Sequence, residues 1–460
     1  SKEQQQSEEA EPSSKEQQQP KEVESSSKEQ ETGEEDTGSD KEDELEPPVR
    51  ETEAEVEVHL HNADSPLATA TSFEDLGLKE DILKGVYGMK FVKPSKIQEK
   101  ALPLLLSNPP TNMIGQSQSG TGKTAAFTLT MLSRIDPSQR IPQALCLAPS
   151  RELAVQIKEV VDEMGKYTGT STYLACGGEP VPRAPVENQV IIGTPGRVQD
   201  MMKRKTINTR DIRVFVLDEA DNMLDQQGLG DQSMRIRRMM PATSQIILFS
   251  ATFPDEVRAY AQRFAPNANM ITLKAEELSV EGIKQFYMDC RDKAHKLEVL
   301  TALYSLLTIG QSMIFCNHRA TADEVARIMT SEGHKVVSLH GKMEASERDR
   351  VLRDFRDGKT KVLISTNVIA RGIDVLQVNM VVNMDLPVDV NGYPDPETYL
   401  HRIGRTGRFG RKGVSINLVH DPISWKVMTA IENYFGKKII QAPTDDYDEI
   451  EEFLRKYGVQ

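Results

Sequence analysis

The chain has 460 residues, with 56 lysines and arginines against 70 aspartates and glutamates, for a formal net charge of −14. Residues 1–58 hold 6 basic and 21 acidic side chains, which leaves the rest of the chain at a net charge of about +1. A balanced body of this length allows two or three domains and excludes binding of polyanions through bulk charge, while leaving room for a local phosphate-reading groove.

The N-terminal 58 residues contain no aromatic side chain and repeat a short unit, SKEQQQ at Ser1–Gln6 and Ser14–Gln19, then SKEQE at Ser27–Glu31. Such a segment buries too little apolar surface to offset its ordering entropy, so a disordered acidic tail is expected over 1–58. Beyond it, apolar runs of strand length lie at Asn112–Ile114, Ala144–Leu147, Val190–Ile192, Val214–Leu217 and Ile246–Phe249. A second series follows at Gln285–Met288, Met313–Phe315, Val336–Leu339, Val362–Ile364, Met380–Asn383 and Val414–Val419. Amphipathic stretches of helix length separate most of them. This alternation predicts an α/β protein with parallel sheets covered on both faces. The stretch near Pro266–Gly282 divides the strands, which predicts an extension over 59–98, one domain over 99–275 and another over 276–460. Val299–Asn317 is interrupted by Gly310-Gln311-Ser312, and the acidic N-terminus has no apolar segment, so neither a membrane span nor a signal peptide is expected. Cys146, Cys176, Cys290 and Cys316 form no C-x-x-C pair, as expected for a reducing, intracellular compartment.

The first strand runs into Ser117-Gln118-Ser119-Gly120-Thr121-Gly122-Lys123-Thr124, the end of a phosphate-binding loop with Ser117 where the first glycine commonly stands. Glycines let backbone N–H groups turn onto phosphate oxygens, and the following helix adds its N-terminal dipole. Lys123 is suited to the β- and γ-phosphates, and the Thr124 hydroxyl to Mg²⁺. A later strand, Val214–Leu217, ends in Asp218-Glu219-Ala220-Asp221. Carboxylates at a strand's C-terminal end sit where α/β sheets place active sites. Asp218 suits Mg²⁺ coordination, partly through water, and Glu219 suits polarising an attacking water.

Asp218–Asp221 spells DEAD, and from Phe73 onward the chain resembles the DEAD-box ATP-dependent RNA helicases. The matching segments occur in family order: Phe91-Val92-Lys93-Pro94-Ser95-Lys96-Ile97-Gln98, the phosphate loop, Pro149-Ser150-Arg151-Glu152-Leu153-Ala154, Gly177-Gly178, Thr194-Pro195-Gly196-Arg197 and DEAD. Then come Ser250-Ala251-Thr252, Ile314-Phe315-Cys316-Asn317, Ser365–Asp374, and His401-Arg402-Ile403-Gly404-Arg405-Thr406-Gly407-Arg408. Ser150 stands where most members have Thr, and Glu179 follows the glycine pair.

The resemblance implies two tandem RecA-like parallel-sheet domains. It also implies that ATP is held by Phe91, Gln98, Ser117, Gln118, Ser119, Gly120, Thr121, Gly122, Lys123, Thr124, Asp374, Arg405 and Arg408. Gln98 would read the adenine edge and Phe91 would stack on the base, although Phe91 also suits an ordinary core position. Arg405 would act as an arginine finger beside Arg408. Without the family context, Arg402, Arg405, Arg408, Arg411 and Lys412 read first as a solvated basic face, and the matching His401-Arg402-Ile403-Gly404 context reverses that reading. Lys123, Asp218, Glu219, Arg405 and Arg408 form the implied catalytic set. Ser250, Thr252 and His401 would couple nucleotide state to RNA affinity, the alternative for the first two being a strand-end turn. RNA contacts would come from Arg151, Gly178, Thr194, Gly196, Arg197, Thr366 and Arg371, reading phosphates and 2′-hydroxyls without base specificity.

Within the family the chain resembles the messenger-RNA export helicase at the nuclear pore, through Asp225–Asp231, the extra loop Val388–Thr398 and Thr444–Ile450. That likeness implies single-stranded RNA or mRNP as partner, a cytoplasmic-face nucleoporin, an activator that uses inositol hexakisphosphate, and a monomer in cytoplasm and nucleus, placed at the cytoplasmic face of the nuclear pore complex. An RNA clamp with little unwinding shares every motif and stays open.

Overall fold

The computed structural model describes residues 56–61, 69–117, 120–225, 228–273, 283–306, 310–367, 375, 378–407 and 413–457. Its strands form two sheets. The first contains eight strands: β1 (Val56–His59), β2 (Met113–Gln116), β3 (Ala144–Leu147), β4 (Thr172–Ala175), β5 (Val190–Gly193), β6 (Val214–Leu217), β7 (Gln245–Ser250) and β8 (Asn269–Leu273). Their order is β1-β8-β2-β7-β6-β3-β5-β4, and every pairing is parallel except β1 with β8. The central strands are short runs of consecutive apolar residues, such as Val214-Phe215-Val216-Leu217, buried on both faces. Helices cover each face. Two clusters result, one around Phe127, Ile157 and Val216, the other around Phe215, Phe264 and Met223.

The second sheet holds β9 (Ile283–Asp289), β10 (Gln311–Phe315), β11 (Val336–Leu339), β12 (Val362–Ser365), β13 (Val378–Asn383), β14 (Gly413–Val419) and β15 (Ile440–Ala442), in the order β11-β12-β10-β13-β14-β9-β15, all parallel. The first lobe therefore ends its sheet at Leu273, and the second begins at Ile283.

All eleven strands expected from the sequence are present. Four more, β1, β4, β8 and β15, were not anticipated. Three of these lie at sheet edges, where partial exposure leaves no continuous apolar run. The tail expected over 1–58 overlaps β1 at Val56, Glu57 and Val58. Here the Val-Glu-Val-His alternation presents two half-buried valines to one side, a period-2 signal hidden by the surrounding acidic composition. The rest of that tail lies outside the described residues. Among the described residues, no helix is long and apolar enough to cross a membrane.

Candidate nucleotide and RNA site

The strand order sets the site. Parallel strands carry their functional groups at their C-terminal ends, and β2, β7, β6 and β3 are neighbours. The phosphate loop, the Ser250–Thr252 turn, Asp218-Glu219 and Arg151 therefore emerge side by side.

After β2 the loop enters α3 (Lys123–Arg134), with Gly120 and Gly122 at φ of 89° and 92°. Only glycine adopts this left-handed conformation without strain. Gln98 lies buried beneath it on α2 (Lys96–Leu105) and donates from Nε2 to the Gly122 carbonyl at 2.8 Å. Its Oε1 accepts the Ser95 N–H at 2.9 Å, and Ser95 Oγ donates to the Thr121 carbonyl at 2.7 Å. Each end of the Gln98 amide keeps one further hydrogen-bonding position, a second N–H and a second lone pair. Ser117 hydrogen-bonds Thr121 through their hydroxyls, and its N–H donates to the Ser250 carbonyl at 2.9 Å. Phe91 is half-buried at the rim of the first core cluster.

Lys123 lies buried with Nζ 3.5 Å from Asp218 Oδ1 and 3.9 Å from Glu219 Oε1. Burial works against its charge, but Asp218, Glu219 and Asp221 outweigh it and hold the ammonium's pKa above the usual value. Lys123 Nζ, Asp218 Oδ2 and Glu219 Oε2 are buried without a hydrogen-bond partner in the protein. Such atoms are costly unless a polar ligand satisfies them. They fit phosphate oxygens and a hydrated cation. Glu219 has φ of 54°, in the left-handed region, with its N–H on Asp218 Oδ1 at 3.0 Å. Strain of this kind at a strand end is typical of functional turns.

Asp221 joins this centre to the rest. Its N–H donates to Ser250 Oγ at 3.1 Å, and its Oδ2 accepts both the N–H and the hydroxyl of Thr252 at 3.1 Å. Ser250 and Thr252 thus form a braced junction and not an idle turn. The second lobe arrives here through α12 (Pro396–Ile403). His401 Nε2 lies 3.4 Å from Asp221 Oδ2, and Glu397 Oε2 lies 3.0 Å from Thr252 Oγ1. Arg405 follows the helix end, buried, with its Nε on the His401 carbonyl at 3.0 Å.

Arg402 is fully buried. It donates to Asn317, Asn367 and Asn383 side-chain oxygens and to the Asp385 carbonyl. The solvated-face alternative therefore fails for Arg402 and Arg405. The helix stops at Ile403, so Arg405 does not continue a helical face. Arg408, Arg411 and Lys412 lie outside the described residues, as do Gln118, Ser119, Arg371 and Asp374.

The residues expected to touch RNA sit at strand ends of both lobes. Thr194 and Arg197 are half-buried and Gly196 is exposed after β5, while Thr366 is half-buried after β12. Arg151 is committed elsewhere. It ion-pairs at 2.7 Å with both Glu179 and Asp349, and donates to the Gly177 carbonyl at 2.8 Å. Asp349 belongs to α11 (Ala345–Arg356) of the second lobe, which lies along α4 (Arg151–Met164). Arg348 is 2.9 Å from Glu152, and Arg356 reaches Glu159 at 2.8 Å and Gln156 at 3.0 Å. A methyl group on Gly178 would meet the Ala345 side chain at 2.6 Å. Sequence reasoning missed α11 and Glu397, since nothing local marks a charged helix face as an interlobe contact. Ser95 was legible in principle, three residues before Gln98 in a capping box.

Fold and site together define a two-lobed, phosphate-loop ATPase in which side chains of both lobes meet beside the DEAD turn. A family model described as DEAD/DEAH box helicase matches residues 95–260, and one described as helicase conserved C-terminal domain matches 295–410. The chain belongs to the DEAD-box ATP-dependent RNA helicases. It is 64% identical over 391 residues to the ATP-dependent RNA helicase dbp5 of Schizosaccharomyces pombe, covering 85% of this chain and 78% of that one. Its fold matches S. cerevisiae Dbp5 bound to RNA and ADP BeF3 with a TM-score of 0.80 and 57% identity, over 84% of this chain and 99% of that one. It also matches an S. cerevisiae Dbp5 variant bound to Nup159, a Gle1 variant, IP6 and ADP, with a TM-score of 0.61 and 55% identity over 83% and 99%.

Proposed function

We propose that this helicase remodels RNA or mRNP locally during messenger-RNA export, at the cytoplasmic face of the nuclear pore. What carries the reading is the junction of Asp221 and Thr252 with His401 and Glu397. It places groups from both lobes at one point beside the buried Lys123, Asp218 and Glu219. ATP would bind with its phosphates on the Gly120–Thr124 loop and Lys123, and its adenine on Gln98 and Phe91. Glu219 would accept a proton from the attacking water, and Arg405, with Arg408, would stabilise charge on the transferred phosphoryl group. Mg²⁺ would be held by Thr124 and Asp218, neutralising phosphate charge. Among the described residues no cluster of three acidic, His or Cys ligands exists, so phosphate oxygens and water would complete its shell.

RNA would lie across both lobes on Gly178, Thr194, Gly196, Arg197, Thr366 and Arg371, with Arg151 joining them only by exchanging its Asp349 pair for phosphate, and with Asp374 at the nucleotide ribose. Domain limits of 59–98, 99–275 and 276–460 suit this division of labour. Closure assembles the ATP site and grips one RNA strand, and hydrolysis releases it. The relatives' complexes support a Nup159-like nucleoporin and a Gle1-like activator with inositol hexakisphosphate as partners. ATP turnover measured with and without single-stranded RNA, then with a Gle1-type activator and inositol hexakisphosphate, tests this. RNA stimulation raised further by the activator is expected. No RNA stimulation overturns the helicase reading, and RNA stimulation without an activator effect overturns the export assignment alone.

A further inference from the structure

The loop between β13 and α12 is tightly built. The Asp389 carboxylate accepts the backbone N–H groups of Asn391 and Tyr393, each at 2.8 Å. The Asp389 N–H donates to the Tyr393 carbonyl at 2.8 Å, and Val388 bridges antiparallel to Pro394. The Asp395 N–H closes the neck on the Pro387 carbonyl at 3.1 Å. Asp395 then caps α12, accepting the Thr398 N–H at 2.8 Å, with Pro396 as the first helical residue. The loop therefore fixes where α12 begins and in which direction it runs.

Glu397 lies in the first turn of that helix and His401 one turn later, so both occupy one face. That face meets the first lobe. The Thr252 hydroxyl stands 3.1 Å from Asp221 Oδ2 and 3.0 Å from Glu397 Oε2. A hydroxyl carries one proton, so it serves one of these carboxylates at a time. Asp221 Oδ2 keeps a donor either way, because the Thr252 N–H also reaches it at 3.1 Å. Glu397 can thus draw the hydroxyl across without stranding Asp221. Thr252 is buried, where water competes poorly and a hydrogen bond to a charged acceptor is strong.

We propose that Glu397 is an interlobe positioning residue. By capturing the Thr252 hydroxyl in the closed arrangement, it ties the start of α12 to the first lobe. The helix then delivers Arg405, whose guanidinium is anchored on the His401 carbonyl, to the nucleotide. Glu397 stands outside the helicase motifs quoted above, near the end of the Val388–Thr398 loop and four residues before His401. The inference rests on the two-lobed ATP and RNA reading given above.

The test uses the full chain as wild type, Glu397→Ala, Glu397→Gln, Thr252→Val and the Glu397→Ala, Thr252→Val double variant. Affinity for a labelled oligouridylate is measured with ADP·BeF3 and without nucleotide, alongside each melting temperature. The wild type should bind RNA more tightly with ADP·BeF3. Glu397→Ala should cut that tightening about tenfold at an unchanged melting temperature. Glu397→Gln, which keeps an acceptor oxygen, should retain part of it. In the Thr252→Val background Glu397→Ala should change nothing further. Tightening that survives Glu397→Ala overturns the proposal, as does an equal loss in both backgrounds, which would mean that Glu397 acts elsewhere. A wild type without nucleotide-dependent tightening overturns the reading of the site itself, and this inference with it.

Discussion

Gln98 donates from Nε2 to the Gly122 carbonyl at 2.8 Å, so the residue expected to read adenine is also a strut beneath the phosphate loop. The contact is close enough that a methyl group on Gly122 would lie 2.4 Å from that same nitrogen. Gly122→Ala would add left-handed strain to this collision. It should weaken ATP binding at least about tenfold, with a stability loss of about 1–2 kcal/mol. Titration with a fluorescent ATP analogue checks this, and unaltered affinity would mean that the loop adjusts without Gln98.

Lys123 carries the pH signature of the site. Burial disfavours its charge, yet Asp218, Glu219 and Asp221 hold its pKa above the usual 10.5. A base raised in the folded state contributes its stability in full below its unfolded value, and loses it as pH climbs through the higher native one. The melting-temperature gap between wild type and Lys123→Met should therefore be constant from about pH 7 to 9 and narrow above about pH 10.5. A gap that keeps widening into alkali would contradict the charge assignment.

The α4–α11 contact should govern closure. Glu152 is buried, and burial pushes its carboxyl pKa up against the opposing pull of Arg348. Arg348→Met leaves that carboxylate unpaired only when the lobes are together. RNA-stimulated turnover should fall about tenfold. Arg356→Ala removes a more exposed pair, so its smaller effect should vanish at high salt. Steady-state ATPase assays at about 0.05 and 0.5 M salt separate the two.

Arg402 holds the second lobe together from inside. Its guanidinium joins Asn317 after β10, Asn383 at the end of β13 and Asn367 after β12, and it stacks 5.2 Å from the Phe315 ring centre. Burial pushes its pKa down to about 10. Arg402→Met should strand the buried Asn383 amide oxygen, remove the donor from the less buried Asn317, Asn367 and Asp385 acceptors, and lower stability by about 3 kcal/mol. Denaturant unfolding of the full chain would show an early transition, and Arg402→Lys should recover only part of the loss, because an ammonium lacks the planar fork.

The four cysteines should be silent in the native protein. All are buried, and burial pushes Cys176 and Cys290 up to about 12, with Cys146 and Cys316 also raised. At pH 8 the thiolate fraction at Cys176 or Cys290 is about one in ten thousand. A disulfide-exchange reagent should titrate no thiol within minutes in buffer, and four in denaturant. Rapid native labelling would reveal an opening that exposes a core strand.

The chain by itself determined the lobes and the inner strands, because Val214–Leu217 or Val190–Ile192 can only be buried on both faces. It also determined the phosphate loop and the DEAD turn, where the chemistry needs specific residues at fixed spacing. Edge strands β4 and β15 escaped it, since half-exposed segments carry no continuous apolar signal. Charged groups escaped it for a different reason. Arg151 looks like a free RNA contact until the fold brings Asp349 to it from 198 residues away, and Glu397 looks like any helix N-terminal acid until it meets Thr252. A charge's partner is a matter of distance in space, and only the packed lobes decide that distance.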